Sequence, residues 1–380
     1  MIPLVRDTIE REDLSKLANW LLTNPRLTKG ELTIEFEQKW SKWLGRSHSV
    51  FTNSGSSANF LMIDALIQSG RLRNPTIIAP AVSWVTTVAP IMQLGLRPLL
   101  CDADEQNLGL SLDHLQHLLN ANDVGAVIIV HVLGVPNHMK EIQFLCDKYE
   151  VPLLEDCCES HGSLYEGQKV GTFGLMSSFS FYYGHHISTI EGGMISCNDE
   201  ELYSIVLSIR SHGWARDLPD HRRRKLEAEH GVNSFQSLYT FYYPGYNFRP
   251  TDLNAFLGLL QLERLDSITA KRNANYLLYK EELVPTFWVQ ENPRGYISSF
   301  AFGLIDERRQ SLVARLGENG IETRPLICGS IGQQPFWIKS HGRCSLPVAD
   351  RVHKFGFYVP NNHQLSPAEV ESVCEVLKQQ

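Results

Sequence analysis

The sequence predicts an α/β protein: a large domain on a mainly parallel, mixed sheet flanked by helices, followed by a smaller α+β domain. Two observations carry that expectation. Up to Pro250, apolar runs of strand length alternate with segments of helical period, whereas beyond it one long helical stretch covers 253–283 and only short strands follow. The chain has 380 residues, 43% of them hydrophobic, which is enough length and apolar content for two cores.

Taken in order, strands are expected at 49–52, 76–79, 97–102, 126–131, 152–155, 177–182 and 193–197. Most are short, nearly unbroken apolar runs, the pattern of strands covered on both faces. Helices are expected between them at 57–68, 111–120, 139–149 and 200–210, where the apolar period lengthens. Ligands in such sheets sit at the carboxyl ends of the strands. After Pro250, helices at 253–283, 307–319 and 367–378 surround short strands near 298–304. The expected division is a large domain over 1–250, including the N-terminal segment, and a small one over 251–380. The run His221-Arg222-Arg223-Arg224-Lys225, set among Asp217, Asp220, Glu227 and Glu229, reads as a solvated loop.

The net charge of -7 is opposite in sign to a nucleic-acid footprint. The start, MIPLVRDTIEREDL, meets a charge at Arg6 without an apolar core, so no signal peptide is expected. The uncharged stretch 74–96 carries Pro75, Pro80 and Pro90 and reads as buried strand and loop rather than a membrane span. The chain holds 8 cysteines and no C-x-x-C or C-x-C-x-C cluster. That pattern points to reduced, cytoplasmic thiols, and away from disulfides and an iron–sulfur cluster.

Several motifs carry chemistry. Asn53-Ser54-Gly55-Ser56-Ser57-Ala58-Asn59 follows a strand and opens a helix, so its free N–H groups and the hydroxyls of Ser56 and Ser57 can hold a phosphate. A plain serine cap is the alternative. Asp156 lies just past a buried strand, where a carboxylate can keep a pyridine nitrogen protonated, and Glu159 can brace the same ring. A turn aspartate is the alternative. Trp84 follows another strand and can stack on a flat cofactor, or simply fill the core. His185-His186 is no metal site by this reading, since neighbours on a strand face opposite ways and no third ligand lies at metal spacing.

The most informative stretch runs from Phe179 to Gly193. It resembles the cofactor segment of the DegT/StrS sugar aminotransferase family, S-F-x-x-x-K-x-x-x-x-x-E-G-G. Ser180, Phe181, Glu191, Gly192 and Gly193 fall on that spacing, but the lysine position holds His185, and no lysine occurs between Lys169 and Lys225. The resemblance continues in the same order along the chain: Gly55-Ser56-Ser57-Ala58-Asn59, Glu155-Asp156 with Glu159, Arg210-Ser211-His212-Gly213, Pro244-Gly245-Tyr246-Asn247-Phe248-Arg249, and Ile321-Glu322-Thr323-Arg324-Pro325.

The resemblance implies the fold type I of pyridoxal 5'-phosphate (PLP) transferases, with PLP or pyridoxamine 5'-phosphate (PMP) as cofactor. It implies cofactor contacts from Gly55, Ser56, Ser57, Trp84, Asp156, Glu159 and Ser180, with Asn247 reaching the phosphate of a partner in a homodimer with shared sites. Arg26, Leu27, Thr28, His212, Arg216, Arg249 and Arg324 would face a nucleotide sugar, for which the planar guanidinium fork suits a diphosphate. His186 is a further candidate for the sugar pocket.

The histidine-for-lysine exchange resembles the family's branch of GDP-4-keto-6-deoxymannose 3-dehydratases, of the colitose pathway of lipopolysaccharide O-antigen synthesis. Histidine cannot tether the cofactor covalently, but imidazole, with an ordinary pKa of about 6.5, can move protons. The resemblance thus implies a hydro-lyase whose partners are a nucleotide sugar and L-glutamate, neither nucleic acid nor membrane. An aminotransferase using His185 as a proton shuttle, and a non-catalytic relative, are the competing readings.

Overall fold

A computed structural model describes residues 1–284 and 286–379. In chain order its strands begin with β1 (His48–Thr52), β2 (Thr76–Pro80), β3 (Arg97–Cys101), β4 (Ala126–Val130) and β5 (Leu153–Asp156). A two-residue pair, β6 (Leu164–Tyr165) and β7 (Gln168–Lys169), precedes β8 (Met176–Ser180) and β9 (Gly193–Cys197). The main sheet has 7 strands in the order β1-β9-β8-β5-β4-β2-β3. Only β9 runs against its neighbours β1 and β8; the other pairings are parallel. Every residue of β2, β4, β5, β8 and β9 is buried, the acids of β5 and the serines of β8 included, as in strands covered on both faces.

Two features place the catalytic end of this sheet. Parallel register aligns Val130 with Asp156 and Asp156 with Ser178, so β4, β5 and β8 finish side by side. The helix Gly55–Gln68 lies against β8 and β9, and its first turn opens at the same edge. Beneath the loop that follows β8, the fully buried rings of Phe36, Trp40, Phe51, Phe179 and Phe181 pack edge to face.

The C-terminal part contains β10 (Trp288–Val289), β11 (Gly295–Tyr296), β12 (Phe302–Ile305), β13 (Arg324–Pro325) and β14 (Gly356–Val359). Four of them form an antiparallel sheet in the order β10-β12-β14-β13. The helix Asp252–Leu283, 32 residues long, packs against both Glu31–Leu44 and Pro367–Lys378. Contacts cross residue 250 in both directions. Ile2 bridges Ile321, and β11 pairs with β6. The first residues therefore contact the C-terminal part.

Three local expectations change. The charged run at 221–225 is a helix, Asp220–Glu229, with no buried residue. Arg223 pairs with Asp220 and Glu227, and Lys225 with Glu229, spacings of three and four residues that support a solvated helix. The stretch 74–96 contains the helix Val85–Gln93, with Pro90 buried inside it, because burial against the core outweighs the lost hydrogen bond. Finally, β8 ends at Ser180, so His185 and His186 sit in a loop and not on a strand.

Candidate active site

The ends of β4, β5 and β8 and the start of helix Gly55–Gln68 line a cavity of about 710 Å³, within the usual range of about 300–1,000 Å³ for small-molecule sites. Ser54 caps the helix, its Oγ accepting the Ser57 N–H at 3.0 Å. The Ser57 hydroxyl donates to Asn53 Oδ1 at 2.6 Å. Ser57 thus belongs to the cap and does not line the cavity, whereas Ser54, Gly55 and Ser56 do. A Cβ on Gly55 would lie 2.6 Å from Ser180 Cβ and 3.0 Å from Cys158 Sγ, so glycine lets the helix start and the strand end touch.

Asp156 forms the floor at 3% exposure. Its Oδ2 accepts from Asn59 Nδ2 at 2.7 Å and Thr87 Oγ1 at 2.8 Å, and its Oδ1 from the Cys158 N–H at 3.1 Å. Asn59 is fixed in turn by the Ser178 hydroxyl, which donates to its Oδ1 at 2.5 Å. Neither Asn59 nor Thr87 was anticipated as a support for Asp156. Asn59 lies in a recognised motif, while Thr87 gives no local signal. Glu155 faces the other side of β5 and accepts the N–H groups of Gly171 and Gly174, building the turn into β8.

Glu159 lines the same wall and accepts the Leu133 N–H at 2.7 Å. Burial pushes its carboxyl up to about 8, helped by the charge of Asp156, so it holds its proton at neutral pH. Trp84 lines the cavity and is 54% exposed, presenting an open indole face at the start of its helix. Ser180 closes β8 beside Gly55, its Oγ buried with the strand end.

His185 enters from the loop after β8, its N–H bound to the Tyr182 carbonyl and its ring 5.3 Å from that of Phe300. Burial, reinforced by the Arg272 cation, pushes the imidazole down to about 3, leaving a neutral base at physiological pH. Among the described residues lining the cavity none is a lysine. His186 turns away: it is fully buried, with Nε2 2.9 Å from the Ser298 carbonyl, and it does not line the cavity.

Of the residues expected to face substrate, Arg324 lines the cavity. Its Nη2 donates to Glu322 Oε1 at 2.5 Å, while Glu322 Oε2 accepts the Leu4 N–H at 3.0 Å. Pro3, Leu4 and Val5 line the cavity too, and nothing in the sequence pointed to them. The other candidates lie outside this cavity. Arg26, Leu27 and Thr28 are exposed, Thr28 bridging Thr251. His212 has a φ of 63° and its N–H binds the Tyr246 carbonyl at 2.7 Å. Arg216 lies over the Trp214 ring, Asn247 is exposed and bridges Ser211, and Arg249 follows on the same segment.

The donor set fits a phosphorylated pyridine. A helix N-terminus with Gly55, Ser56 and Ser180 suits the phosphate, Trp84 the ring face, and Asp156 the ring nitrogen. The comparisons agree with that chemistry. Residues 8–378 match the DegT/DnrJ/EryC1/StrS aminotransferase family. The chain is 33% identical to a GDP-4-keto-6-deoxy-D-mannose 3-dehydratase of Yersinia pseudotuberculosis, over 99% of this chain and 98% of that protein. It is 36% identical to the enzyme of the same description from Escherichia coli O55:H7, over 94% and 95%. A crystal structure of GDP-4-keto-6-deoxymannose-3-dehydratase with a trapped PLP-glutamate geminal diamine superposes with a TM-score of 0.90 at 32% identity, covering 100% of both chains. With a family match over residues 8–378 and relatives above 30% identical over nearly the whole chain, this chain belongs to the DegT/DnrJ/EryC1/StrS aminotransferase family.

Proposed function

We propose that the protein is a PMP-dependent hydro-lyase, a 3-dehydratase of GDP-4-keto-6-deoxy-D-mannose that uses L-glutamate as amino donor. One observation carries the reading: a cavity furnished for the cofactor has a neutral histidine, and no lysine among its described lining residues, at the reacting end. When bound, the cofactor would supply the electron sink for the reaction. His185, neutral and fixed, would take a proton from the aminomethyl carbon of the bound cofactor and hand it to the hydroxyl leaving C3. Asp156, held by Asn59 and Thr87, keeps the pyridine nitrogen protonated. Gly55, Ser56, Ser180 and Trp84 hold the cofactor without a covalent tether, and Arg324 meets the anionic substrates. Water completes release of the 3-deoxy-4-keto sugar and ammonia, and glutamate restores the amine as it becomes 2-oxoglutarate.

The working unit in this reading is a homodimer. Asn247, His212, Arg216 and Arg249 lie outside their own chain's cavity, and Trp214, whose ring meets His212 and Arg216, also packs against the exposed Tyr239 and Phe241. A second copy covering this surface gives those residues a site to face. A cytoplasmic setting is supported by 8 cysteines that are all free thiols. No helix among the described residues is long and apolar enough to cross a membrane.

The test is to incubate the protein with PLP, glutamate and GDP-4-keto-6-deoxymannose and weigh the sugar product by mass spectrometry. Loss of the C3 oxygen with release of ammonia is the expected result. An amino sugar would make the protein an aminotransferase. Conversion of PLP by glutamate without turnover of the sugar would place the substrate elsewhere.

A further inference from the structure

Arg272 lies behind His185, on the helix Asp252–Leu283, at 2% exposure and with no carboxylate partner among the described residues. Its Nη1 donates to the carbonyls of Phe300 at 2.8 Å, Ser299 at 3.3 Å and Asn361, and its Nη2 approaches the His185 carbonyl at 3.5 Å. Asn361 closes the arrangement, its Nδ2 donating to the carbonyls of Arg272 at 3.0 Å and Ser299 at 3.2 Å. A buried cation held by carbonyls alone is a costly feature in a core. Burial pulls this guanidinium down to about 9, which still leaves it charged at neutral pH.

What the charge touches gives the reason for keeping it. Arg272 grips the peptides of two residues whose rings meet, His185 and Phe300, and Phe300 also lines the cavity. We propose that Arg272 is a positioning residue for His185, fastening the His185 and Phe300 peptides to the long helix and setting a fixed cation behind the imidazole. The proposal rests on His185 being the base of the reaction.

Other ionisable groups surround this imidazole. His161 and His186 lie behind it, both fully buried. Asp156 ends β5 and Cys158 and Glu159 follow in its turn, while Tyr182, Tyr183 and Glu191 come from the loop of His185 itself, all lining the same cavity. Glu322, Arg324 and Tyr358 line the same cavity from the C-terminal part. After burial, Arg272 is the largest cause holding His185 and His186 in their neutral forms, and it acts on His161 as well. A lone guanidinium thus keeps a cluster of imidazoles neutral while fixing the one that reaches the cavity.

The test uses two variants of the full chain. Arg272→Gln removes the charge and keeps donors; Arg272→Lys keeps the charge and removes the planar fork. The His185 ring is followed by histidine-labelled NMR, assigned by loss of its signal in His185→Asn. The wild-type ring is expected to stay neutral down to about pH 5, and Arg272→Gln to raise its titration by about one unit or more. Arg272→Lys should leave the titration low but reduce kcat at least about tenfold with KM nearly unchanged, as expected for lost positioning. An unchanged titration in Arg272→Gln, or a fully active Arg272→Lys, overturns the proposal. The titration needs no turnover, so it reads the Arg272 effect even if the product assay refutes the dehydratase. If Arg272→Gln does not fold, Arg272→Lys alone decides, by its titration and its kcat.

Discussion

At His185 the same burial that shapes the cavity also selects the protonation state. A surface histidine would be partly charged near neutrality, whereas this ring is pushed down to about 3. Replacing it with lysine should change the chemistry rather than merely weaken it. His185→Lys is expected to capture the cofactor covalently, seen as a yellow absorbance that survives gel filtration, and to lose dehydration by a factor of about 10²–10⁴. A variant that still dehydrates normally removes His185 from the mechanism. Glu159 shows the opposite shift, up to about 8 against an ordinary 4.5. The unfolded chain releases this proton first, so as pH rises from about 4.5 to 8 the folded state loses stability, and above 8 the loss levels off. Glu159→Gln has no proton to release. Its melting temperature should therefore exceed that of the wild type at pH 8, by on the order of 1–3 kcal/mol in stability, and the advantage should vanish near pH 5. A pH-independent difference between the two proteins would remove titration of Glu159 as its cause.

Among the elements, the junction between β8 and the helix Gly55–Gln68 is the tightest part of the site. Gly55→Ala places a methyl group against Ser180 and Cys158. It is expected to weaken PLP binding at least about tenfold, measured by fluorescence titration, since 1.4 kcal/mol of displaced contact is enough for about that factor. Unchanged affinity would mean the phosphate sits elsewhere. The strands here were legible because burial on both faces writes an apolar run into the sequence, and expectations such as 193–197 coincide with β9 (Gly193–Cys197). Helices differed in legibility. Gly55–Gln68 announces itself through the serine cap before an apolar run, whereas Val85–Gln93 hides behind its proline. The charged helix Asp220–Glu229 has no apolar face, so its period is invisible to a hydrophobic pattern.

On the scale of the whole molecule, the cavity gathers parts from both ends of the chain. Leu4 is tied to Glu322 across 318 positions, and the same glutamate holds Arg324. The residues strung along the Asn247 segment, by contrast, do not line that cavity. If they serve a partner's site, mixing two inactive variants should restore function. Preparations of His185→Asn and Asn247→Ala, unfolded and refolded together, are expected to regain about a quarter of wild-type activity, because half of the random dimers carry one intact site. Failure of mixtures that are dimeric by sedimentation to regain activity would count against sharing.

Residue types and their spacing set most of the local structure and the cofactor chemistry, because burial period, caps and a motif around His185 are properties of neighbours in the chain. The same one-dimensional pattern marked Gly55, Asp156, Ser180 and Trp84, all of which line the cavity. That the Ser57 hydroxyl donates to Asn53 within the cap was not legible in it. The supports of the site were decided by packing. Thr87 meets Asp156 across 69 positions, and Arg272 approaches His185 across 87. Such partners carry no common period or motif, since close packing joins whichever side chains the folded sheet and helices bring within reach. The acidity of a buried group follows from that same enclosure, which is why Glu159 and His185 acquire their working protonation states only once the chain has folded around them.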